Sequence, residues 1–284
     1  MKTALLIRSA YLNTQAFDRI MNELSDAAMQ QNVRLLIKKN DEFLSWDALN
    51  NLPSAGIFWD KDIRLARLIE QEGVVLMNSS NAIALCDDKT LTYLALRGHV
   101  EMPETLLCPL SYEGGGKVDC SYIDAVAQRL GFPFIIKEGR GSFGHQVYLV
   151  QNTQEACETL QKIGPKPALC QRFIEESAGR DVRAYVVGGR VIASIQRTST
   201  NGDFRANIGS GGTARPYTLS KEGEDMCIKA CELLRLDFAG VDLLFSKDGP
   251  LLCEVNSNAH FAGLEQATGI SPAPFIIERL RTLL

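Results

Sequence analysis

The sequence of 284 residues has no long uncharged apolar run, and none approaches the roughly 20 residues that a helix needs to span a bilayer. The first apolar stretch ends at Arg8 and lacks a small-residue cleavage site, so it predicts a buried strand rather than a signal peptide. An excess of one charge is also lacking, because a net charge of −4 gives no basic field for nucleic acid or an anionic membrane. We therefore expect neither a nucleic-acid nor a membrane partner.

Paired cysteine motifs are lacking as well. None of the eight cysteines forms a C-x-x-C pair, and several lie in apolar patterns where a thiol packs as a small hydrophobic group. Cys227 and Cys231 share one face of a predicted helix, but no neighbouring Cys or His completes a metal site. This cysteine usage predicts structural thiols in a reducing compartment, and hence a cytoplasmic protein.

The length of the chain suggests about two domains, or three. Up to residue 77, short apolar strands alternate with amphipathic helices, including one at 63–71, which predicts a small parallel sheet with covered faces. A helix is then predicted at 87–96, and two strands farther on are joined by a Gly188-Gly189 hairpin turn. The sequence therefore predicts an α/β (α+β) chain with units at 1–84, 85–167 and 168–284.

A glycine-rich turn at 138–145 joins two predicted strands. Gly141 and Gly144 permit positive φ and let backbone N–H groups approach an anion closely. Lys137, at the end of the preceding strand, is a compact cation for a phosphate. The turn is not a Walker loop, because no G-K-[ST] follows and no helix receives the phosphates. By itself it is equally consistent with a flexible hairpin beside a solvated lysine.

Three oxygen-bearing side chains fall on one predicted hairpin late in the sequence. Asp242 lies inside an apolar run, where an unpaired carboxylate would be costly. Glu254 and Asn256 are two residues apart on the next strand and therefore point to one face. Hard oxygen ligands at a nucleotide site suit Mg²⁺ or Mn²⁺. The alternative is that Asp242 is satisfied by Arg183 or Arg205 in a structural ion pair.

Several ordered segments together resemble the RimK-like carboxylate–amine (alpha-L-glutamate type) ligases of the ATP-grasp superfamily. The segments that match are 171–183, 186–193, 204–207, 211–212, 239–242 and 254–257, with the phosphate lysines and glycine loop upstream. The resemblance covers roughly residues 79–284, and the N-terminal match is weaker. It implies an ATP-grasp fold, in which a small parallel α/β domain precedes two α+β subdomains that clasp ATP.

The resemblance also implies an activity. An ATP-dependent ligase of this type forms an amide through an acyl phosphate, releases ADP and phosphate, and uses Mg²⁺ or Mn²⁺, with two ions expected. The substrates would be an amino acid such as glutamate and a small acid, peptide or protein tail, and the chain could form a homo-oligomer. The alternative is a nucleotide-binding regulatory or scaffold protein of the same fold without ligase turnover.

Carried over position by position, the resemblance assigns four groups of residues. The ATP-binding positions are Lys89, Lys137, Gly141, Ser142, Gly144, Gln171, Arg172, Phe173, Ile174, Asp181, Arg205, Ala206 and Asn207. The candidate catalytic residues, which would offset charge on the transferred phosphoryl group, are Arg205 and Lys137. The candidate metal ligands are Asp242, Glu254 and Asn256. The candidate substrate contacts are Arg197, Asn258 and His260.

Two departures from the family pattern bear on the substrate. A common family form has Ser-Pro-Gly after Glu-Val-Asn, whereas this chain has Ser-Asn-Ala-His-Phe at 257–261. The phosphate loop also has Phe143 and His145 at variable positions. Neither departure removes a predicted nucleotide or metal ligand, but the first is expected to reshape the acceptor pocket. We expect the N-terminal unit and the loop 257–263 to select the substrates.

Overall fold

The computed structural model describes residues 1–112, 119–141, 144–206 and 211–284. Ser142 and Asn207, two of the predicted ATP-binding positions, lie outside these described residues. Within them the strands form three sheets, one of which is parallel and two of which are antiparallel. No helix in the described ranges is both long enough and apolar enough to cross a membrane.

The N-terminal unit is a four-stranded parallel sheet in the order β2-β1-β3-β4. Its strands are β1 (Lys2–Arg8), β2 (Val33–Lys39), β3 (Ala55–Trp59) and β4 (Val75–Met77). The helices that connect them are α1 (Gln15–Gln30) and α2 (Ile63–Gln71). The side chain of Thr14 caps α1 by accepting a hydrogen bond from the Phe17 N–H. The alternation of strand and helix therefore produced the predicted parallel sheet.

Two short helices, α3 (Ser80–Asp87) and α4 (Lys89–Leu96), follow the first sheet. The single helix predicted at 87–96 was therefore wrong at its start, and α3 was missed. Asp88 separates the two helices because its backbone is extended, and its carboxylate accepts the N–H groups of Thr90 and Leu91. An aspartate is favourable at the positive end of α4, and Lys89 lies next to it in the first helical turn.

The middle sheet is antiparallel, with the order β5-β8-β6-β7. Its strands are β5 (Thr105–Leu107), β6 (Phe134–Glu138), β7 (Val147–Val150) and β8 (Ala168–Arg172), and its helices are α5 (Ile123–Leu130) and α6 (Thr153–Ile163). The sequence did not predict β5, which has only three residues and no visible alternation. Although β8 lies beyond the predicted division at 167/168, it pairs with β5 and β6, and the division itself stays a prediction.

The last sheet is antiparallel, with the order β11-β10-β9-β12-β13. Its strands are β9 (Arg180–Val187), β10 (Arg190–Thr198), β11 (Thr213–Pro216), β12 (Phe238–Ser246) and β13 (Gly249–Asn256). The helices that pack with it are α7 (Lys221–Leu233), α8 (Ala262–Thr268) and α9 (Ala273–Arg281). Gly188 and Gly189 have φ of 55° and 74° in the tight β9–β10 turn, as the sequence predicted. Neither β11 nor α8 was predicted.

A shared hydrophobic core joins the N-terminal unit to the last sheet. The rings of Trp59 and Phe238 stack with centroids 5.1 Å apart, and Phe261 packs edge-on against Trp59 at 6.0 Å. The other tryptophan, Trp46, is 77% exposed and takes no part in this core. This core holds the carboxyl ends of β1 and β3 against the loop that follows β13, where the candidate site lies.

Candidate functional site

Two neighbouring cavities lie where the three sheets meet. The larger has a volume of about 630 Å³ and the smaller about 120 Å³. Both are lined by Gly144, Arg197, Asp242 and Glu254. The cavities are therefore adjacent, and the predicted phosphate, metal and substrate residues gather around their junction.

The smaller cavity brings together most of the predicted ATP-binding residues. Those that line it are Lys137, Gly144, Gln171, Arg172, Phe173, Ile174, Asp181, Arg205 and Ala206. Ile135, Val147 and Leu244 add apolar surface, so the slot combines apolar walls with polar groups at its edges. This is the lining that a flat heterocyclic base with a polar rim requires.

The end of β8 forms one edge of this slot. Gln171 is buried and its Nε2 donates to the Thr105 Oγ1 at 2.9 Å, which fixes the strand end. The Arg172 guanidinium is held by Glu104, with Nη2 2.5 Å from Oε2. Because that side chain is already paired, the backbone groups that follow it are the better candidates for contact with a base. Phe173 packs edge-on against Phe204 at 6.3 Å.

The two predicted phosphate lysines converge on consecutive residues of β13. Lys137 is buried in β6 and its Nζ donates to the Cys253 Sγ at 3.6 Å. The Lys89 Nζ donates to the Gly141 carbonyl at 3.1 Å and lies 3.5 Å from the Glu254 Oε1. Lys89 lines neither main cavity but a smaller side cavity with Lys137 and Glu254. A thiol compensates poorly for burial of an ammonium group, so Lys137 is suited to receive an anion.

Two glycines of the glycine-rich turn line the cavities: Gly141 lines the larger one, and Gly144 lines both. Gly141 has a φ of 154°, and a Cβ there would clash with the Gln146 side chain, so glycine is required. The Gly144 carbonyl accepts a hydrogen bond from the Arg205 Nη1 at 2.6 Å, which links the turn to the last subdomain. The Arg205 Nη2 is also 2.7 Å from the Asp203 Oδ2, and this hydrogen bond raises the pKa of Arg205.

Four charged side chains alternate onto one face of the last sheet. Asp181 and Arg183 are two residues apart on β9, and their cross-strand neighbours are Arg197 on β10 and Asp242 on β12. The Arg183 Nη2 lies 2.7 Å from the Asp242 Oδ2, and the Arg183 Nε bonds the other oxygen. Arg197 holds Asp181 with two hydrogen bonds of 2.6 Å and reaches the Asp242 Oδ2 at 3.0 Å.

The pKa values of the two carboxyls shift in opposite directions. Burial raises the pKa of Asp242, but Arg183 and Arg197 outweigh burial, and the net pKa lies below its ordinary value. For Asp181, burial is the larger effect and raises the pKa despite the contact with Arg197. Burial lowers the pKa of Arg197, whereas the two carboxylates raise it above its ordinary value overall. The two guanidinium groups therefore favour the ionised form of Asp242.

The predicted metal ligands meet on one hairpin. Asp242 and Glu254 are direct cross-strand neighbours in β12 and β13, and Asn256 follows two residues along β13. The Asn256 Nδ2 is buried and has no hydrogen-bond partner within the described part of the chain. Two carboxylates and an amide oxygen suit Mg²⁺ chemically. Among the described residues, no group of three or more His, Cys, Asp or Glu has the geometry of a metal site. The metal assignment therefore stays a prediction.

The structural alternative for Asp242 is present in the fold. Asp242 pairs with Arg183, as the alternative stated, whereas Arg205 pairs with Asp203 instead. The same carboxylate could still bind a cation because each carboxylate oxygen has more than one lone pair.

The three predicted substrate contacts all line the larger cavity: Arg197, Asn258 and His260. The Asn258 Nδ2 donates to the Asp60 carbonyl at 2.8 Å, which ties the loop after β13 to the N-terminal unit. Burial, and then the nearby charge of Arg183, lower the pKa of His260. His260 is therefore a neutral imidazole at pH 7.

Several lining residues were not predicted as site residues, among them Arg183, Trp59 and Asp60. One sequence signal could have identified Asp60, because it directly follows an apolar strand of a predicted parallel sheet, where ligands commonly bind. Arg183 alternates with Asp181 along one strand, which places both side chains on the same face.

The chain is similar to known proteins in both sequence and fold. A model of the RimK-like ATP-grasp domain matches residues 87–280. Beta-citrylglutamate synthase B from Danio rerio is 34% identical over 240 residues, which cover 84% of this chain and 58% of that protein. A probable alpha-L-glutamate ligase from Trichodesmium erythraeum is 39% identical over 220 residues, which cover 76% of this chain and 71% of that protein.

A similar solved structure is that of the ATP-grasp ligase PsnB complexed with a minimal precursor, Mg and ADP. It has a TM-score of 0.72 and 16% identity, and the match covers 99% of this chain and 97% of that one. At this identity the likeness concerns the fold alone, and it confirms the predicted ATP-grasp fold. The chain spans only 58% to 60% of the length of the first curated relatives that it matches.

Proposed function

Since this chain belongs to the RimK-like ATP-grasp family, we propose that it is an ATP-dependent ligase that joins a carboxylate to an amine. A substrate carboxylate attacks the γ-phosphate of ATP and gives an acyl phosphate and ADP. The amine then attacks the acyl carbon, the C–N bond forms, and phosphate leaves. Relatives whose names include glutamate support an amino acid, such as glutamate, as one substrate, with a small acid or a peptide as the other.

One observation supports this function most directly. The cavity lined by the predicted nucleotide residues and the cavity lined by the predicted substrate residues share Asp242 and Glu254 as a common wall. A γ-phosphate at that wall would lie between the nucleotide on one side and the acid on the other. Phosphoryl transfer depends mainly on such positioning and on neutralisation of charge.

In the proposal, adenine occupies the apolar slot of the smaller cavity and the ribose lies near Asp181. Both oxygens of Asp181 already accept hydrogen bonds from Arg197, but each retains a lone pair for a ribose hydroxyl. Lys89, Lys137 and Arg205 surround the phosphates, and the glycine turn supplies backbone N–H groups. These cations offset the negative charge that moves during phosphoryl transfer.

Asp242, Glu254 and Asn256 would hold Mg²⁺, or Mn²⁺, and two ions are proposed. A bound divalent cation would supply positive charge that offsets the negative charge of the phosphates. Arg183 and Arg197 both line the larger cavity beside Asp242, where they would orient the substrate carboxylate. Their contacts with Asp242 hold the guanidinium groups in place before a substrate binds.

A reducing, cytoplasmic location is part of the same proposal. No disulfide links the eight cysteines, all of which are within the described residues. A homo-oligomer in solution is also proposed, and size-exclusion chromatography with light scattering would test it.

The test is an ADP-release assay with ATP, Mg²⁺ and paired acids and amines, followed by mass spectrometry of the product. We expect ADP release that requires both an acid and an amine, and a product heavier than the acid by the amine minus water. Asp242→Asn and Glu254→Gln should each lower turnover by about 10²–10³-fold, because each weakens charge neutralisation at the phosphates.

Asp248→Asn is the matched control, since Asp248 is exposed at the turn of the same hairpin and should retain full turnover. Undiminished turnover in both Asp242→Asn and Glu254→Gln would refute the metal assignment. ATP binding without ADP release across all acid and amine pairs would instead favour a nucleotide-binding scaffold.

A further inference from the structure

The larger cavity lies at the point where the order of strands reverses in the N-terminal sheet. The chain passes from β1 to β2 on one side and then crosses to β3 on the other side of β1. Ligands of open parallel sheets bind outside the carboxyl ends of the strands at such a point. Ser9 follows β1, and Asp60 and Lys61 follow β3, and all three line the cavity.

Most of the buried polar atoms without partners, among the described residues, belong to side chains that line this cavity. Six buried side-chain nitrogen or oxygen atoms in the described residues have no hydrogen-bond partner, and four belong to residues that line the larger cavity. These four are the Trp59 Nε1, the Asp60 Oδ2, the Asn256 Nδ2 and the Asn258 Oδ1. Buried polar atoms are normally satisfied, so these four call for a ligand that is not part of the protein.

Asp60 is held in place by one of its two oxygens. Its Oδ1 accepts the backbone N–H groups of Lys61 at 2.5 Å and Asp62 at 3.1 Å, whereas its Oδ2 has no partner among the described residues. Burial raises the pKa of this carboxyl. A buried carboxylate with one unsatisfied oxygen is best stabilised by a cation or by a strong hydrogen-bond donor.

Asn258 presents a second acceptor beside Asp60. Its Nδ2 is engaged by the Asp60 carbonyl at 2.8 Å, so the amide is oriented and its Oδ1 is left without a partner within the described ranges. Two acceptors fixed at one junction fit a group with several N–H donors. A primary ammonium group, which has three N–H donors, has this chemistry.

The indole of Trp59 adds a donor to the same wall. Trp59 is only 2% exposed, and its Nε1 is one of the unsatisfied atoms. A ligand with both a cationic nitrogen and a carboxylate would satisfy the acceptors and this donor together. That combination is the backbone of an amino acid.

We propose that Asp60 and Asn258 form the subsite for the amino group of an amino-acid substrate, which rests on the ligase function proposed above. The group binds as an ammonium ion and becomes the nucleophile when its proton passes to the Asp60 Oδ2. A bare carboxylate does not fit there, because it would face two acceptors. Carboxylates fit instead beside Arg183 and Arg197, two cations that line the same cavity. The N-terminal unit thus recognises the amine substrate, and the last sheet recognises the acid.

Binding measurements test the subsite without requiring turnover. The dissociation constant of the full-length chain would be measured for each of the twenty common L-amino acids, singly, in the presence of MgADP. We expect at least one to bind, and its analogue without the amino group to bind poorly. Asp60→Asn and Asn258→Leu should each raise that constant by about 10- to 100-fold, the loss expected when a hydrogen bond to a charged group is removed.

Asp26→Asn is the matched control, because Asp26 is exposed on α1, and it should bind the amino acid as the unmodified chain does. The affinity for MgATP should be the same in all variants, which verifies that each one folds. A dissociation constant within twofold of the original in Asp60→Asn would overturn the proposal, and so would the failure of every amino acid to bind. Failure of the ligase function would appear separately, as the absence of amine-dependent ADP release by the unmodified chain.

Discussion

The walls of the two cavities differ in how completely their polar groups are paired. Among the described residues, none of the buried unpartnered polar atoms belongs to the lining of the smaller cavity, whereas four belong to the larger. In the smaller cavity, Asp181, Arg205 and Gln171 already have protein partners. Pairing of this kind positions side chains before a ligand arrives, which suits a nucleotide that is the same in every reaction of the family.

In the larger cavity, the unpartnered polar atoms would form hydrogen bonds only when a ligand binds. Unsatisfied acceptors and donors discriminate strongly, because a ligand that lacks the complementary group leaves them unpaired. Under the proposed function, binding of the nucleotide and selection of the substrate would depend on different walls. The first depends on groups that the protein itself satisfies, and the second on groups that it does not.

The largest effect is expected at Lys137, on the nucleotide side of the comparison. Lys137→Met removes a buried cation that the thiol of Cys253 compensates poorly, and kcat for ADP release should fall by about 10²–10³-fold. The KM for the acid and for the amine should stay near their original values. Lys229→Met, at an exposed position of α7, is the control and should have no effect. An equal rise in the KM values for ATP, the acid and the amine would contradict the proposal that nucleotide and substrates are bound by different walls.

The next largest effect is expected at Asp242, which lines both cavities. It would be measured as a change in the free energy of unfolding. The folded-state pKa of Asp242 is lowered, so its stabilisation is present above the ordinary carboxyl pKa and is lost as the pH falls through the folded value. Asp242→Asn should therefore lower the free energy of unfolding by about 3 kcal/mol at pH 7, since Arg183 and Arg197 lose their partner. The difference from the unmodified chain should shrink toward pH 3, as measured by urea denaturation.

Asp181 is the internal control for that experiment, because its folded-state pKa is shifted in the opposite direction to that of Asp242. Its folded-state pKa is raised, so its favourable contribution is present below the ordinary carboxyl pKa and is lost as the pH rises through the folded value. The destabilisation caused by Asp181→Asn should not grow between pH 4 and pH 7. Parallel curves for the two variants would contradict the assignment of an ionised Asp242.

The smallest effect is expected at Asn78, which supports the substrate wall from behind. Asn78 is fully buried, and its Nδ2 donates to the Phe238 carbonyl at 2.9 Å and to the Ser257 carbonyl at 2.8 Å. Asn78→Ala should lower the free energy of unfolding by about 2 kcal/mol, because buried backbone groups lose their partners. It should also raise the KM for the substrates more than the KM for ATP.

Asn78→Asp is the informative second variant, because it keeps an acceptor for the Asp237 N–H, 2.8 Å away, but loses the donors. A change in the KM for ATP alone would contradict the placement of this residue behind the substrate wall.

Regular elements with a clear period were predictable from the sequence. The helix predicted at 63–71 has the bounds of α2, because its apolar residues repeat at helical spacing between an aspartate cap and a glycine. The elements that escaped prediction, such as β5 and β11, have three or four residues. Strands this short have no detectable period, and they exist because neighbouring strands provide hydrogen-bond partners.

The candidate site, too, was predictable from the sequence only in part. The types of its side chains and the face of the strand on which each lies follow from the sequence, because alternation along a strand is a local property. Asp242, Glu254 and Asn256 could therefore be placed on one hairpin by their spacing alone. Asp60 was not predicted as a site residue, although its position directly after an apolar strand of the parallel sheet is a sequence signal for a ligand site.

The sequence by itself determined the family, the order of the longer elements and the residue types of the candidate nucleotide and metal positions. Only the tertiary structure decided which charges meet, since Arg183 and Asp242 are 59 residues apart and Asn258 and Asp60 are 198 apart. Strand order and register determine such pairs, and both depend on packing among distant segments rather than on local propensity. For that reason the unsatisfied atoms of the substrate wall become visible only when the N-terminal unit is packed against the last sheet.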